Sequence, residues 1–311
     1  MKLEYMANLG YQSMAPEAVC ESLARIGYEG VGWTLAHFDV LDKPRSELVD
    51  LISLPQQFGM KTGEIVVQQD FVTLDDALFE KKVDVVIRAI ETVSEVESPP
   101  PLNLFTGPAS WSESASVIGR DISYTAAWDR IFKAFDRLVT RAEALRVDLA
   151  VEGVWGMVCH NFFTTNHLIE MFDSPRLGVN YDPSHDILVG IEDVAWVIRQ
   201  WSLKDRIKHV HLKDAAGVSD GGRFLFPMLG EGRVNWDAFF STLNEVGYAG
   251  HMSVEFESFR YYDTVLGGDP ERAAAISMEQ LRCLGADRFS AGTPSKDERP
   301  SAAVVSGHNT F

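Results

Sequence analysis

The sequence has little cysteine and little positive charge for its length. Its three cysteines, Cys20, Cys159 and Cys283, are far apart and form no CxxC pair. A disulfide framework and a cysteine-based zinc site are therefore both disfavoured. The 28 basic residues are outnumbered by 45 acidic ones, which gives a net charge of −17. This balance argues against a nucleic-acid surface and an anionic membrane surface as partners.

Long apolar runs and nucleotide-binding motifs are absent as well. No apolar stretch reaches about 18 residues, and the N-terminus MKLEYMANLG lacks a basic region followed by an apolar run. We therefore expect a cytoplasmic protein. The first strand-like run is not followed by a GxGxxG turn, and the chain has no P-loop lysine motif. These two absences argue against a doubly wound, open nucleotide-binding sheet.

The chain shows instead a regular alternation of strand-like and helical patterns. Helical runs with apolar residues at a spacing of three and four separate the strand-like runs. Eight such units at this length predict a single (β/α)8 TIM barrel over residues 1–286. The eight strand-like runs cover residues 3–10, 30–35, 61–67, 102–106, 148–153, 177–181, 207–212 and 251–256.

The segment 287–311 breaks this pattern. It contains the stretch SAGTPSKDERPSAA, which is rich in small, polar and charged residues. We interpret it as a mobile polar extension or as an arm on a neighbouring subunit, and therefore expect an oligomer.

The ends of the last four strands carry polar residues at equivalent positions. In a barrel of this kind the chemistry lies at the carboxyl ends of the strands. Three carboxylates around one axis repel each other unless a cation neutralises them, so a metal site is favoured over an ion-pair network. Oxygen ligands with one imidazole suit Mn²⁺, Mg²⁺ or Co²⁺, and also Zn²⁺ or Fe²⁺. The residues at these ends are Glu152, Asp182, His211 and Glu255.

The motifs AVEG, NYDPSH, HVHLKD, GEGRVNW and SVEFE occur in this order. In them the chain resembles the xylose-isomerase-like barrels, a superfamily that includes the ketose 3-epimerases. The resemblance implies that the four strand-end residues bind a divalent cation, with Mn²⁺ as our first expectation. It also implies that His185 contacts substrate oxygens and that Trp111 forms an aromatic wall of the sugar site. The family's epimerases place an arginine shortly after the ligand histidine. Here that position falls near Gly217, and the next arginine is Arg223.

Further candidates for substrate contact are less specific. His160 follows the fifth strand and either lines the pocket or is an ordinary loop residue. Lys213 follows His211 closely and either holds a sugar oxygen or is solvated. Glu64, in the third strand, either contacts substrate or pairs with Lys213.

The resemblance implies a metal-dependent sugar isomerase or epimerase. Such an enzyme removes a proton α to the carbonyl of a keto-sugar and forms an enediolate. We expect Glu152 and Glu255 to act as the acid–base pair, with His185 as a third catalytic group. The alternative is a lyase that cleaves a C- or O-linked 3-keto-glycoside by metal-assisted elimination. An apurinic endonuclease needs a basic groove for DNA, which the charge disfavours. A non-catalytic sugar-binding protein needs no convergent metal ligands. Because the resemblance is to sugar isomerases and epimerases, we expect a small carbohydrate substrate.

Overall fold

The computed structural model describes residues 1–109, 111–112 and 115–286. Eight parallel strands close into a barrel, in which the first strand pairs with both the second and the last. A separate antiparallel hairpin, β8–β9, projects after the seventh barrel strand. The strands are β1 Lys2–Met6, β2 Gly30–Thr34, β3 Lys61–Val66, β4 Leu102–Leu104, β5 Leu149–Glu152, β6 Leu177–Tyr181, β7 Ile207–Leu212, β8 Ala216–Val218, β9 Arg223–Leu225 and β10 His251–Val254.

Helices connect the strands and cover the outside of the barrel. Their apolar faces pack on the strands and form the main hydrophobic core. The helices are α1 Pro16–Ile26, α2 Arg45–Ser53, α3 Asp76–Val93, α4 Tyr124–Leu145, α5 Phe162–Phe172, α6 Pro183–Leu188, α7 Val194–Ser202, α8 Trp236–Glu245, α9 Phe259–Thr264 and α10 Pro270–Cys283.

The structure confirms the predicted barrel and adds elements that the sequence patterns did not indicate. The first strand ends at Met6, earlier than expected, because Leu9–Ser13 forms a 3₁₀ helix. The short helices α6 and α9 and the hairpin β8–β9 were not predicted. Each of them lies in a connection that follows the carboxyl end of a barrel strand, so the additions all concern the mouth of the barrel.

The interior of the barrel contains charged side chains. Glu4 and Glu64 are fully buried, and His209 lies between them, with its ring nitrogens 3.5 Å and 3.6 Å from their carboxylate oxygens. Glycines on the neighbouring strands make room for them. A Cβ atom at Gly63 would lie 1.6 Å from Glu4 Oε2, and one at Gly32 would lie 2.8 Å from Glu64 Oε1. Because these positions on β2 and β3 are glycines and carry no side chain, they leave the space that the carboxylates of Glu4 and Glu64 occupy.

Two further points, the C-terminal segment and membrane-spanning helices, depend on which residues the structure describes. The segment 287–311, interpreted as an extension or interface arm, lies outside the described residues. Among the residues that are described, no helix is both long enough and apolar enough to cross a membrane.

Candidate metal and substrate site

Four side chains at the carboxyl ends of neighbouring strands converge on one point. Glu152 ends β5, Asp182 directly follows β6, His211 lies in β7 and Glu255 directly follows β10. Each offers one ligand atom, and these atoms all lie within 4.8 Å of one another. Ligands on opposite sides of a cation with metal–ligand distances of about 2.0–2.2 Å are about 4 Å apart. The structure therefore brings together all four strand-end residues, at a spacing that suits one divalent cation.

The orientation of His211 leaves one ring nitrogen facing the carboxylates of this group. Its Nε2 lies 3.0 Å from Glu64 Oε1, on the side of the barrel interior. Its Nδ1 lies 3.3 Å from Glu255 Oε2 and 3.7 Å from Glu152 Oε2. Burial opposes a charge on the ring, but the three surrounding glutamates raise the pKa of His211 well above its ordinary value. Glu64 thus fixes the ring so that Nδ1 is the atom presented to the site.

The ammonium group of Lys213 lies among the same carboxylates. Its Nζ is 2.9 Å from Asp182 Oδ2 and 3.2 Å from Glu257 Oε2, and it also forms an ion pair with Glu255. It lies 4.9 Å from the centre of the Phe226 ring. Burial opposes the charge, but the carboxylates raise the pKa of Lys213 well above its ordinary value. The surrounding carboxylates therefore stabilise the positive charge of Lys213 in this buried position.

Glu152 is ionised although it is buried. Burial favours its neutral form, but the charge of His211 and the hydrogen bond from His185 hold the pKa of Glu152 below its ordinary range. The Nε2 atom of His185 lies 3.2 Å from Glu152 Oε1. The other oxygen, Oε2, accepts hydrogen bonds of 3.1, 3.1 and 3.3 Å from the side-chain amides of Gln68, Asn103 and Asn180.

A cavity of about 970 Å³ opens directly over this group. One side of it is polar and is formed by Glu152, His185, Lys213 and Glu255. Another part of the wall is aromatic and is formed by Trp111, Trp155, Phe224 and Phe226, while further polar residues such as Glu257 and Arg260 line the rest. The charged cluster thus borders an open cavity at the mouth of the barrel, where an active site is expected.

Three residues expected to contact substrate do not line this cavity. The Arg223 side chain is 70% exposed and bonds to Asp220, and its neighbour Phe224 faces the cavity instead. His160 places Nδ1 3.0 Å from the carbonyl oxygen of Met157, within its own loop. Glu64 is fully buried below the cavity and contacts His211 rather than Lys213. In contrast, His185, Lys213 and Trp111 line the cavity.

The structure also shows polar residues that the sequence patterns did not single out. Asn103 lies fully buried in β4 and contacts both Glu152 and His211. Its signal in the sequence is an amide between two leucines in a short buried strand. Asp214 accepts hydrogen bonds from the backbone of Gly230, Gly232 and Val234 and from the indole of Trp236. Asp214 therefore holds the segment 230–236, which follows the hairpin β8–β9, close to the end of β7.

A second group of possible ligands shares His211. The atoms of Glu64, His209 and His211 also lie within 4.8 Å of one another. These three side chains are all buried, and Glu64 and His209 are absent from the cavity wall. Glu64 already contacts His211 Nε2 at hydrogen-bonding distance. We therefore interpret this trio as hydrogen-bonded support for His211.

Comparisons with known proteins agree with this architecture. A family model described as xylose isomerase-like TIM barrel matches residues 20–284. The ketose 3-epimerase of Arthrobacter globiformis is 24% identical over 287 residues, which cover 81% of this chain and 89% of the epimerase. The inosose dehydratase of Lacticaseibacillus casei is 26% identical over 146 residues, which cover 42% of this chain and 47% of the dehydratase. The chain thus spans about half the length of that relative.

A solved structure extends the comparison to the fold. The crystal structure of an IolI protein with a bound zinc atom superposes with a TM-score of 0.73 at 17% identity. The match covers 94% of this chain and 100% of the IolI chain. At this identity the likeness shows a shared fold.

Proposed function

Because this chain belongs to the xylose isomerase-like TIM barrel family, we propose that it is a divalent-metal-dependent enzyme acting on a keto-sugar. The reaction that we propose is removal of the proton α to the sugar carbonyl, followed by isomerisation or epimerisation. The observation that carries the proposal is the convergence of four ligand atoms beneath one open cavity. The similarity to a ketose 3-epimerase supports the same class of reaction.

The proposed metal ligands are the four strand-end residues, and the donor set favours Mn²⁺ among the candidate ions. A bound divalent cation would polarise the carbonyl oxygen of the sugar and so acidify the adjacent C–H bond. The zinc atom in the related IolI protein supports a divalent metal in this fold. We propose these ligands to be Glu152, Asp182, His211 and Glu255.

The proposed chemistry of the chain itself is a proton transfer between substrate carbon and carboxylate. Glu152 and Glu255 come from β5 and from the end of β10, and both line the cavity. One carboxylate, in its ionised form, accepts the proton, and the other, which enters the step as the protonated acid, gives its proton to the opposite face of the same carbon and so inverts that carbon. His185 Nε2 and Lys213 Nζ lie beside them and can donate hydrogen bonds to the sugar oxygens.

A second candidate is elimination. It shares the first step, because loss of the α proton also precedes the expulsion of a β-substituent. The similarity to an inosose dehydratase favours this candidate, since dehydration is an elimination of water. We therefore retain a lyase that cleaves a keto-glycoside as the alternative function.

Exchange of the α proton with solvent deuterium tests the shared step. We expect the Mn²⁺-loaded protein to incorporate deuterium next to the carbonyl of at least one sugar in a panel of keto-hexoses and 3-keto-glycosides. Exchange should stop when a chelator removes the metal and return when Mn²⁺ is restored. NMR or mass spectrometry of the recovered sugar measures it. Product analysis then separates epimerisation, isomerisation and elimination, whereas exchange that persists without metal would contradict the metal-dependent mechanism.

Glu64 provides a test of the metal site that does not depend on activity. Burial opposes its charge, but His211 and His209 lower the pKa of Glu64 to about 2, so it is ionised beside His211. Glu64→Gln keeps the length and removes that charge. We expect it to weaken Mn²⁺ binding by about 10- to 100-fold, the usual effect of losing the hydrogen-bond partner of a ligand. Calorimetric titration of the metal-free protein measures the loss.

The matched control for Glu64 is Glu4→Gln. Glu4 is equally buried in the barrel interior, but it contacts His209 and His251 rather than His211. We expect its metal affinity to stay within about threefold of the wild-type value, well inside the effect of losing a ligand's partner. Equal losses in both variants would show that general damage to the interior, and not the contact with His211, weakens the site.

A further inference from the structure

The cavity above the charged cluster is larger than a single sugar ring requires. Its volume of about 970 Å³ lies at the upper end of the range of about 300–1,000 Å³ that holds drug-sized ligands. Glu152, His185, Lys213 and Glu255 lie at its floor, and further polar side chains, among them Glu231, Ser258 and Arg260, line it elsewhere. Another part of the wall consists of aromatic rings, which offer few hydrogen-bond partners to free hydroxyl groups.

The aromatic part of the cavity wall is built by the connections that follow β5 and β7. Trp155 packs both against the main core and against a small separate hydrophobic cluster. Phe224, on the hairpin β8–β9, faces Trp155 with a distance of 4.6 Å between ring centres. Phe226 follows the hairpin and packs against Phe224 at 5.5 Å. These three rings form a continuous surface, which we call the aromatic wall.

The aromatic wall is continuous with the sugar-binding floor. Phe226 contacts both sides, because its ring lies 4.9 Å from Lys213 Nζ and 6.0 Å from the ring of His185. Trp111 also lines the cavity; its ring packs edge-on against Phe105, and 60% of its surface is exposed. A ligand held at the floor therefore has the apolar surface of the aromatic wall directly beside it.

We propose that the substrate is a keto-sugar that carries an apolar, ring-containing substituent, and that the aromatic wall of Trp155, Phe224 and Phe226 binds this substituent. This proposal rests on the proposed function in one respect: the keto-sugar is placed at the floor of the cavity, beside Glu152 and Lys213. Stacking of an apolar ring against Trp155 and Phe224 removes apolar surface from water on both partners. A free monosaccharide leaves the wall in contact with water and gains none of this free energy.

The test compares two probes that differ only by a phenyl group: 3-keto-glucose and phenyl 3-keto-glucoside. We expect the Mn²⁺-loaded wild-type protein to bind the phenyl glycoside about 10- to 100-fold more tightly, as burial of one aromatic ring predicts. In Phe224→Ala this ratio should fall to about threefold or less, as expected when most of that ring burial is lost, while the affinity for 3-keto-glucose stays unchanged. Calorimetry measures both affinities, and α-proton exchange is recorded on the same samples.

One control variant and a second wall variant accompany this test. Phe163→Ala removes an exposed ring on α5 that lies outside the cavity, and the preference should persist in it. Trp155→Leu changes the opposite ring of the wall and should reduce the preference as Phe224→Ala does, so the proposal does not depend on one variant folding. Equal affinity of wild type for both probes, or a preference that survives both wall variants, would overturn it. A wall-dependent preference without α-proton exchange on any sugar of the panel would leave this inference standing and refute the proposed reaction.

Discussion

Replacement of His211 by alanine is expected to abolish metal binding. The variant removes the only imidazole among the four proposed ligands, and with it the Nδ1 atom that faces Glu152 and Glu255. The loss of affinity should exceed the about 10- to 100-fold effect of outer-shell changes. α-Proton exchange should disappear with the metal. Elemental analysis of the purified protein and calorimetric titration with Mn²⁺ measure the effect.

The same variant should also be less stable than the wild type. In the metal-free protein the charge of His211 compensates buried carboxylates, and its pKa is raised for that reason. Removal of one partner of a buried charge pair costs about 3–5 kcal/mol. A domain with a stability of about 5–15 kcal/mol can remain folded after this loss. Circular dichroism and thermal unfolding check this point, and His211→Gln provides a second variant that retains a polar side chain of similar size.

One result would contradict the proposal that His211 is a metal ligand. If folded His211→Ala kept its metal and full turnover, the centre would lie elsewhere. The exposed His167 on α5, whose ring packs edge-on against Trp128, is the matched control. His167→Ala should keep the wild-type metal content, because this ring lies outside the cavity wall.

The barrel and the four converging side chains were predictable because both follow from simple periodic rules. Side chains alternate along a strand, and active-site residues of such barrels lie at the carboxyl ends. Glu152 and Asp182 stand at those ends in the sequence as they do in the structure. Their convergence needs only the order of the strands, which the parallel alternation dictates.

Contacts that depend on register and on flexible side chains were not predictable in this way. The space for Glu4 and Glu64 becomes visible only when the register pairs Glu4 with Gly30 and Gly32 with Glu64. The hairpin β8–β9 has strands of three residues each, too short for a periodic signal.

The position of Arg223 depends on this hairpin. Its exposed side chain bonds to Asp220, whereas the next three residues, Phe224, Leu225 and Phe226, line the cavity. The sequence pattern offered no means to tell which of these residues would face the cavity.

The replacement of either proposed acid–base glutamate by glutamine is expected to lower turnover by about 10²- to 10⁴-fold, the contribution of general acid–base catalysis. Glutamine keeps the shape of the side chain, but its amide cannot accept the proton from the sugar carbon. The pKa of Glu152 lies below its ordinary range, despite burial, because of His211 and His185. This carboxylate is therefore ready to accept a proton at neutral pH. The assay needs saturating Mn²⁺ and a measured metal content, because both glutamates are also proposed ligands. Glu245→Gln, which changes an exposed carboxylate paired with Arg199, is the control with wild-type turnover.

The two variants should differ if the glutamates act on opposite faces of the sugar. The variant that retains the proton-abstracting carboxylate should still exchange the α proton with solvent deuterium but form little product. The other should lose exchange and product formation together, because no proton leaves the carbon. Substrate affinity should change far less than turnover in both, since the hydrogen bonds from His185 and Lys213 remain available. If both metal-loaded variants exchanged the α proton at the wild-type rate, neither carboxylate would be the base. His185, with Nε2 3.2 Å from Glu152 Oε1 and its ring in the cavity wall, would then be the residue to test.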